Sequence, residues 1–453
     1  MIFNPLITFL GAKTLPRPAH SLVQKFFILA SLQSTFFMIS GTFYVLYVID
    51  KVDYDALGLL LAVSFIVQAI LDYPSGVLGD WIGQRWTLTT AFVAYGLSYG
   101  LLALANSVTD LMVVYILVAF AASQESGAMQ SWFDNNYKVV ADEADPNRET
   151  YQLFQGKLQL ILGYLWAATF IVGGLIATIY FRETVFALQS VGMFVLAGLC
   201  LVFVTNFPGI LKPERSLTNY FKILGEGLRF TLSSKYMLFF TIFVCISGAV
   251  WSIWSQMILF PLYYGYTGSD LGAAFFRCIV WILAASSAAK AGEWSKKLNV
   301  YHWLSRMELF VLTGYFSLFA LLIFIFPWEN NLNLLAIGLV CLIFFFLDAG
   351  VNISNILRQR LMLDTIPDNI RNSIYSLFPT LVLIISAPAV FVAGNVIKLL
   401  EVPTMLVIMT LIGWIAIGFL FLSLRFLSKR ASEEEQISRI VVTSKIEKEE
   451  KFS

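Results

Sequence analysis

Twelve apolar segments run along almost the whole chain, near residues 26–48, 57–78, 86–105, 111–133, 156–180, 183–204, 238–262, 270–290, 304–326, 332–356, 374–399 and 403–426. Each has about 20–25 residues, and at ~1.5 Å per residue a helix of that length crosses ~30 Å of hydrocarbon. Lipid offers no partner to a free backbone N–H or C=O, so segments of this kind are confined to helices. The expected fold class is an all-α membrane protein with twelve transmembrane helices. Hydrophobic residues are 58% of the chain and charged residues 13%, which excludes an ordinary soluble domain. A net charge of +1 leaves no basic field for nucleic acid.

The basic residues orient the segments. If both termini lie in the cytoplasm, every Lys and Arg falls on the cytoplasmic side except Lys51, Arg182 and Lys398, which lie outside, and Arg277, which lies within segment eight. The positive-inside bias therefore predicts a multi-pass protein of the plasma membrane with both ends inside. Residues 1–12 are apolar, but no basic stretch precedes them and Pro16 and Pro18 follow without an Ala-x-Ala site. They are expected to form a short amphipathic piece at the cytoplasmic interface. The four cysteines, Cys200, Cys245, Cys278 and Cys341, sit in apolar segments without metal-ligand spacing and are expected to be packing residues. No cofactor and no metal is expected.

The chain carries an internal repeat. Gln124-Glu125-Ser126-Gly127-Ala128 in segment four and Leu347-Asp348-Ala349-Gly350-Val351 in segment ten share an acid, a small residue, Gly and a small residue. The offset between Glu125 and Asp348 equals that between Arg148 and Arg371, which enter segments five and eleven. Gly79-Asp80-Trp81 after segment two is echoed by Gly292-Glu293-Trp294 after segment eight. Three matches in the same order point to duplication. The expected organisation is a six-helix half over 1–204, a cytoplasmic central loop over 205–237 with an amphipathic helix from Leu217 to Leu232, a second six-helix half over 238–427, and a charged cytoplasmic tail over 428–453.

A carboxylate at membrane depth costs roughly 2.5–3.5 kcal/mol on insertion scales, so it tends to face a cavity and to work there. Two in symmetric positions point to a transporter built from repeats, with its site near the midplane. Glu125 lies 14 residues, or ~21 Å, into segment four from its outer end. Asp348, Asn352 and Asn355 fall at i, i+4 and i+7 and share one face of segment ten. Gln33, Ser40, Tyr44 and Tyr47 align on segment one, and Ser247, Trp251, Trp254 and Ser255 on segment seven, with Gln256 beside them. A low dielectric disfavours the charged form of a carboxylate, so Glu125 or Asp348 is a candidate proton carrier. Either is also a candidate to bind a cationic group on the substrate. Arg277, the one cation expected at depth, is a partner for an acid or for an anionic substrate group. His20 and His302 fall in cytoplasmic segments, so a relay is expected to use carboxylates.

After segment two the chain reads Asp72-Tyr73-Pro74-Ser75-Gly76-Val77-Leu78-Gly79-Asp80-Trp81-Ile82-Gly83-Gln84-Arg85. This resembles the signature loop of the major facilitator superfamily, with Gly76, Asp80, Gly83 and Arg85 matching and Trp81 and Trp86 standing where the family usually has cations. Ser126-Gly127-Ala128 with Asp134, and Ile366-Pro367-Asp368-Asn369-Ile370-Arg371, are similar to further motifs of that family. The resemblance implies two pseudo-symmetric six-helix halves with segments one, four, seven and ten lining a central cavity. It also implies a conformational latch on the inner side made of Gly76, Asp80, Gly83, Arg85 and Asp134, with Arg85 as a partner for Asp134.

The expected function is secondary active transport of a small organic solute by alternating access, proton-coupled through Glu125, Asp348 or both. Membrane lipid, the solute and protons are the expected partners, and the chain is expected to be monomeric. The aromatic faces (Tyr44, Tyr47, Trp251, Trp254) suit an amphipathic molecule and lean towards export. An uncoupled facilitator, a membrane-embedded lipid-modifying enzyme and a non-transporting sensor remain as alternatives. The enzyme lacks support, because the chain has no Gly-x-Ser-x-Gly, no phosphate-cradling loop and no His/Asp metal pattern.

Overall fold

The computed structural model describes the backbone of residues 4–141, 143–207, 217–366 and 368–450, and their side chains except at 4, 73–81, 217–224, 288–289, 292, 368–373, 375–376 and 430–450. The elements are all helical. They are α1 (Asn4–Phe9), α2 (Arg17–Met38), α3 (Tyr44–Ile82), α4 (Gln84–Leu104), α5 (Val108–Glu125), α6 (Ala128–Ala141), α7 (Glu149–Ile179) and α8 (Arg182–Phe203). After the amphipathic α9 (Leu217–Ser233) come α10 (Lys235–Ile253), a π-helical turn (Trp254–Ile258), α11 (Leu259–Gly265), α12 (Asp270–Ser295), α13 (Val300–Ile325), α14 (Leu334–Thr365) and α15 (Asp368–Glu450).

Ten stretches among the described residues are long and apolar enough to cross a membrane. The last of them, Leu377–Lys429, holds the eleventh and twelfth expected segments, because Glu401 takes φ +64° and turns the chain back on itself. Asp53, with φ +67°, makes the same hairpin between segments one and two. Segment one is not among the ten. A turn at 39–43 divides it, leaving the polar Ser31, Gln33, Ser34 and Thr35 in a helix that stops at Met38.

Helices α2 to α8 pack on one another, as do α10 to α15, and α9 lies against α10 and α15. The two groups meet chiefly through α3 against α15 and α7 against α12. Small residues make both contacts possible. A Cβ on Gly394 of α15 would lie 2.4 Å from the Tyr54 carbonyl oxygen of α3, and one on Gly174 of α7 would lie 2.6 Å from the Ala274 Cβ of α12. Both contacts sit towards the face opposite the chain termini. The short α1 does not lie free at an interface. Ile7 and Leu10 are buried, and its end is tied down by Lys157, whose Nζ donates to the Phe9 carbonyl at 2.6 Å.

Candidate transport site

Segment four is not one helix. Its first piece, α5, starts with a capping box between Ser107 and Asp110 and ends at Glu125. Ser126 leaves the helical region and Gly127 takes φ +68°, a conformation that glycine adopts without strain, before α6 begins at Ala128. The acid thus sits at a break in a membrane helix. Gln33 of α2 donates its Nε2 to Glu125 Oε1 at 2.8 Å. Asp72 of α3 hydrogen-bonds Ser126, so a second carboxylate stands beside the same break. Asp72 was visible in the sequence as part of the acid-x-Pro-Ser-Gly run, but nothing in the chain order joined it to Glu125.

The second acid is held in the other group of helices. Tyr315 of α13 donates its hydroxyl to Asp348 Oδ1 at 2.5 Å. Trp251 lies edge-on to the Tyr315 ring at 5.1 Å between centroids. Asn352 reaches the Asp348 carbonyl at 2.9 Å and Ser287 of α12 at 3.4 Å. Asn355, on the same face of α14, is exposed and lies nearer the terminal side. Trp254 corrects an expectation: it is 2% exposed and packs against Phe316, Phe319 and Phe344, a core position that offers a ligand no surface in this conformation. The physical reason is its place inside one aromatic cluster: at the start of the π turn it shares Tyr315 and Phe316 with Trp251 and lies deeper, against Phe319 and Phe344. Ser255 lies in that turn, with its hydroxyl against the Ser252 carbonyl at 3.4 Å.

The polar row expected on segment one is likewise split by the turn at 39–43. Ser40 is buried. Tyr47 packs inward and its hydroxyl meets the Leu102 carbonyl at 3.3 Å. Tyr44 stays half-buried among Tyr115 and Phe186. The turn is close-fitted: a Cβ on Gly173 of α7 would fall 1.7 Å from the Ile39 carbonyl oxygen. Arg277 of α12 crosses between the two groups and donates its Nη1 to the Gly41 carbonyl in that turn. Its guanidinium carbon lies 4.0 Å from the centre of the Phe170 ring and 4.6 Å from that of Phe260. No carboxylate pairs with it among the described residues.

A second arginine meets a buried acid. Glu308 of α13 is 1% exposed and accepts from both Arg358 and Ser354 of α14. Segment boundaries drawn from hydropathy put Arg358 just outside segment ten. At 32 residues, however, α14 spans ~48 Å and carries the arginine along the same helix face as Ser354.

On the face opposite the termini, ion pairs join the two groups. Arg182 at the start of α8 forks onto Asp270 at the start of α12, with 2.9 Å from Nη2 and 2.9 Å from Nε, and also reaches Asp50 at 2.6 Å. Lys398 of α15 meets Asp55 at 2.8 Å and Asp53 at 3.2 Å. These are the basic residues that the sequence placed outside, together with Lys51. With the glycine contacts beside them, they close this face.

The sequence comparison returns a family model described as Major Facilitator Superfamily, which covers residues 26–390. The chain belongs to the major facilitator superfamily. It is a multi-pass membrane transporter of a small solute and not an enzyme. A curated relative, an uncharacterized MFS-type transporter YxaM of Bacillus subtilis (strain 168), is 26% identical over 227 residues, which are 48% of this chain and 53% of that protein, so the match spans about half of its length. Among solved structures, the nucleoside transporter NupG has a TM-score of 0.69 at 13% identity, with 91% of this chain and 99% of that chain covered. A D-xylose-proton symporter has a TM-score of 0.65 at 15% identity, covering 89% of this chain and 97% of the other. A bacterial homolog of the human lysosomal transporter Spinster, in an inward-facing and unoccupied conformation, has 0.68 at 12% identity, covering 91% and 98%. At these identities the likeness is one of fold.

In the superfamily's signature loop, Gly83 takes φ +85° between α3 and α4, the tight turn expected of it. Gly76 and Asp80 lie outside the residues whose side chains are described. The expected Arg85–Asp134 pair does not form. Arg85 is exposed over the Trp86 ring, while Asp134 accepts from Tyr151 at 2.7 Å and Gln130 at 2.8 Å. Those neutral donors come from α6 and the start of α7 and satisfy the carboxylate locally.

Proposed function

We propose that this protein is a proton-coupled secondary transporter of the cytoplasmic membrane, with both termini in the cytoplasm, in which Glu125 and Asp348 carry the coupling protons. One observation carries the reading: each acid is held at depth by a neutral donor, Gln33 or Tyr315, and neither has a cationic partner among the described residues. A carboxylate without a counter-charge in a low dielectric is inexpensive only when protonated. A change of solvent access on switching conformation is then enough to take up and release the proton. Asp72 beside Ser126 is a third group for the same relay. The units are a six-helix half over 1–204, the linker over 205–237, a second half over 238–427 and a tail over 428–453. The chain works as a monomer, and export is the favoured direction on the aromatic character of Tyr44 and Trp251.

The test is pH-driven solute exchange in proteoliposomes, with nucleosides, pentoses, dipeptides and amphipathic cations as probes and a trapped pH dye as the proton readout. Glu125→Gln and Asp348→Asn are expected to abolish proton movement with solute while leaving solute exchange at equal pH. Proton movement that persists in both single variants and in the double variant removes the coupling assignment. The remaining reading is then a facilitator whose acids only recognise substrate.

A further inference from the structure

We infer that the seam between α7 and α12 is the binding subsite for an organic anion with a flat ring, its carboxylate held by Arg277 and its ring laid against Trp281. The inference rests on the transporter reading above and names the substrate class for it.

The first observation is the state of Arg277. A guanidinium has five N–H donors and is always charged. Among the described residues it makes one hydrogen bond, to the Gly41 carbonyl, and rests against Phe170 and Phe260. Two phenyl faces offset part of the charge but accept few of its donors. Held at depth with no carboxylate among the described residues, this cation lacks the partner that such a position ordinarily demands. Glu308 shows the contrast, since the partly buried Arg358 has its acid in place.

The second observation is independent and lies one helical turn away. Trp281 follows Arg277 at i+4 and Trp166 precedes Phe170 at i−4, so the four side chains form two facing pairs across the seam. The Trp166 and Trp281 rings are 4.8 Å apart and tilted at 60°. The Trp166 indole N–H is buried and has no acceptor among the described residues. An orphaned buried donor calls for a ligand or a water to complete it. Along α12, Arg277 stands ~10 Å and Trp281 ~16 Å from the helix start at Asp270, which brackets the midplane of a ~30 Å hydrocarbon layer.

The chemistry these groups recognise is specific. A carboxylate takes two parallel N–H···O bonds from an arginine edge. An aromatic ring beside it covers the Trp281 face, and a ring or carboxylate oxygen completes the Trp166 N–H. A neutral sugar satisfies the indole but leaves the cation unpaired. A cation is repelled by Arg277.

The experiment uses the full-length protein in detergent, with benzoate, cinnamate and indole-3-acetate as probes. Their uncharged amides and aliphatic carboxylates of equal size are the controls. Binding is read by thermal shift and by quenching of tryptophan fluorescence. The aromatic carboxylates are expected to raise the melting temperature of the wild type. The amides are expected to bind tenfold or more weakly, the size of one lost charged pair. Arg277→Gln is expected to abolish the preference for carboxylate over amide. Arg277→Lys keeps the charge without the planar fork and should weaken binding while retaining the preference. Trp281→Leu should remove the preference for aromatic over aliphatic carboxylates. Equal binding of amide and carboxylate by the wild type, an unchanged preference in Arg277→Gln, or no stabilisation by any of the three aromatic carboxylates overturns the proposal. Binding in detergent needs no proton gradient, so a failed coupling assignment leaves this result standing, and a failed anion site leaves the Glu125 and Asp348 assay untouched.

Discussion

The Glu308 carboxylate is satisfied by two groups of one neighbouring helix, Arg358 and Ser354, with the acid buried and the arginine still 23% exposed. Breaking such a pair from one side strands the other charge, at a cost of about 3–5 kcal/mol, whereas apolar residues of similar size at both positions are often tolerated. Glu308→Gln is therefore expected to lower the melting temperature sharply, and Glu308→Leu combined with Arg358→Met to recover much of the loss, as thermal unfolding in detergent would record. Asp145 makes a different argument, outside the membrane. Burial disfavours its charge, but the Tyr137 hydroxyl at 2.7 Å and the Tyr151 and Thr150 N–H groups at 2.9 and 3.1 Å outweigh that and hold its carboxyl below the usual aspartate value. A depressed acid contributes stability that is present above the unfolded value, ~3.9, and lost as pH falls through the folded one. The difference in unfolding midpoint between wild type and Asp145→Asn should thus be full at pH 6 and shrink below about pH 4. A difference independent of pH would mean that the contribution is steric. Glu125 and Asp348 were legible in the sequence because charge stands out in an apolar run. Glu308 also lies in an apolar segment, and only the helix beside it reveals its partner.

At the scale of elements, three of the helices expected to line the site are interrupted: segment one at 39–43, segment four at 126–127 and segment seven by its π turn. The fourth, α14, runs unbroken. Each break exposes backbone groups at depth, which a membrane tolerates only where protein covers them. Gly173 provides that cover for the first break, by letting α7 press against the Ile39 carbonyl. Gly173→Ala places a Cβ where no atom fits and is expected to cost 1–3 kcal/mol or more through displaced backbone, on the order of other overpacked sites. Reduced thermal stability beside an unchanged Gly198→Ala control, where a Cβ meets open space, would check it. Helical periodicity read on the sequence carried Gln33 to Tyr47 along one face. It failed there because a five-residue turn resets the phase, and nothing in the local residues other than Gly41 marks that turn.

Across the whole molecule, the face opposite the termini is held by the Arg182 fork on Asp270 and by the Lys398 cluster, with Gly58 and Gly394 in contact between them. The pairs differ in burial. The Arg182 and Asp270 side chains are 16% and 11% exposed, whereas Lys398 and Asp55 are 43% and 36% exposed. Exposed pairs contribute little, about 0–1 kcal/mol, and charged hydrogen bonds in partial burial contribute about 1.5–3. Asp270→Asn should accordingly open this face far more than Lys398→Ala. Electron–electron distance measurements between spin labels at Thr109 and Asn331 would show a longer population in the first variant and little change in the second. An equal response would place the closing energy in the glycine contacts instead. The class of fold, a count of spans close to that observed, the presence of two acids in apolar segments and the family all followed from the sequence, because each depends on hydrophobic length, on charge in an apolar run or on a short motif, which are properties of contiguous residues. Tertiary structure alone decided that Arg277 stands without an acid among the described residues, that Arg358 has one, that Trp254 is core and that Arg85 and Asp134 are apart. Partners on different helices are chosen by packing and helix phase, and those quantities are set between segments rather than within them.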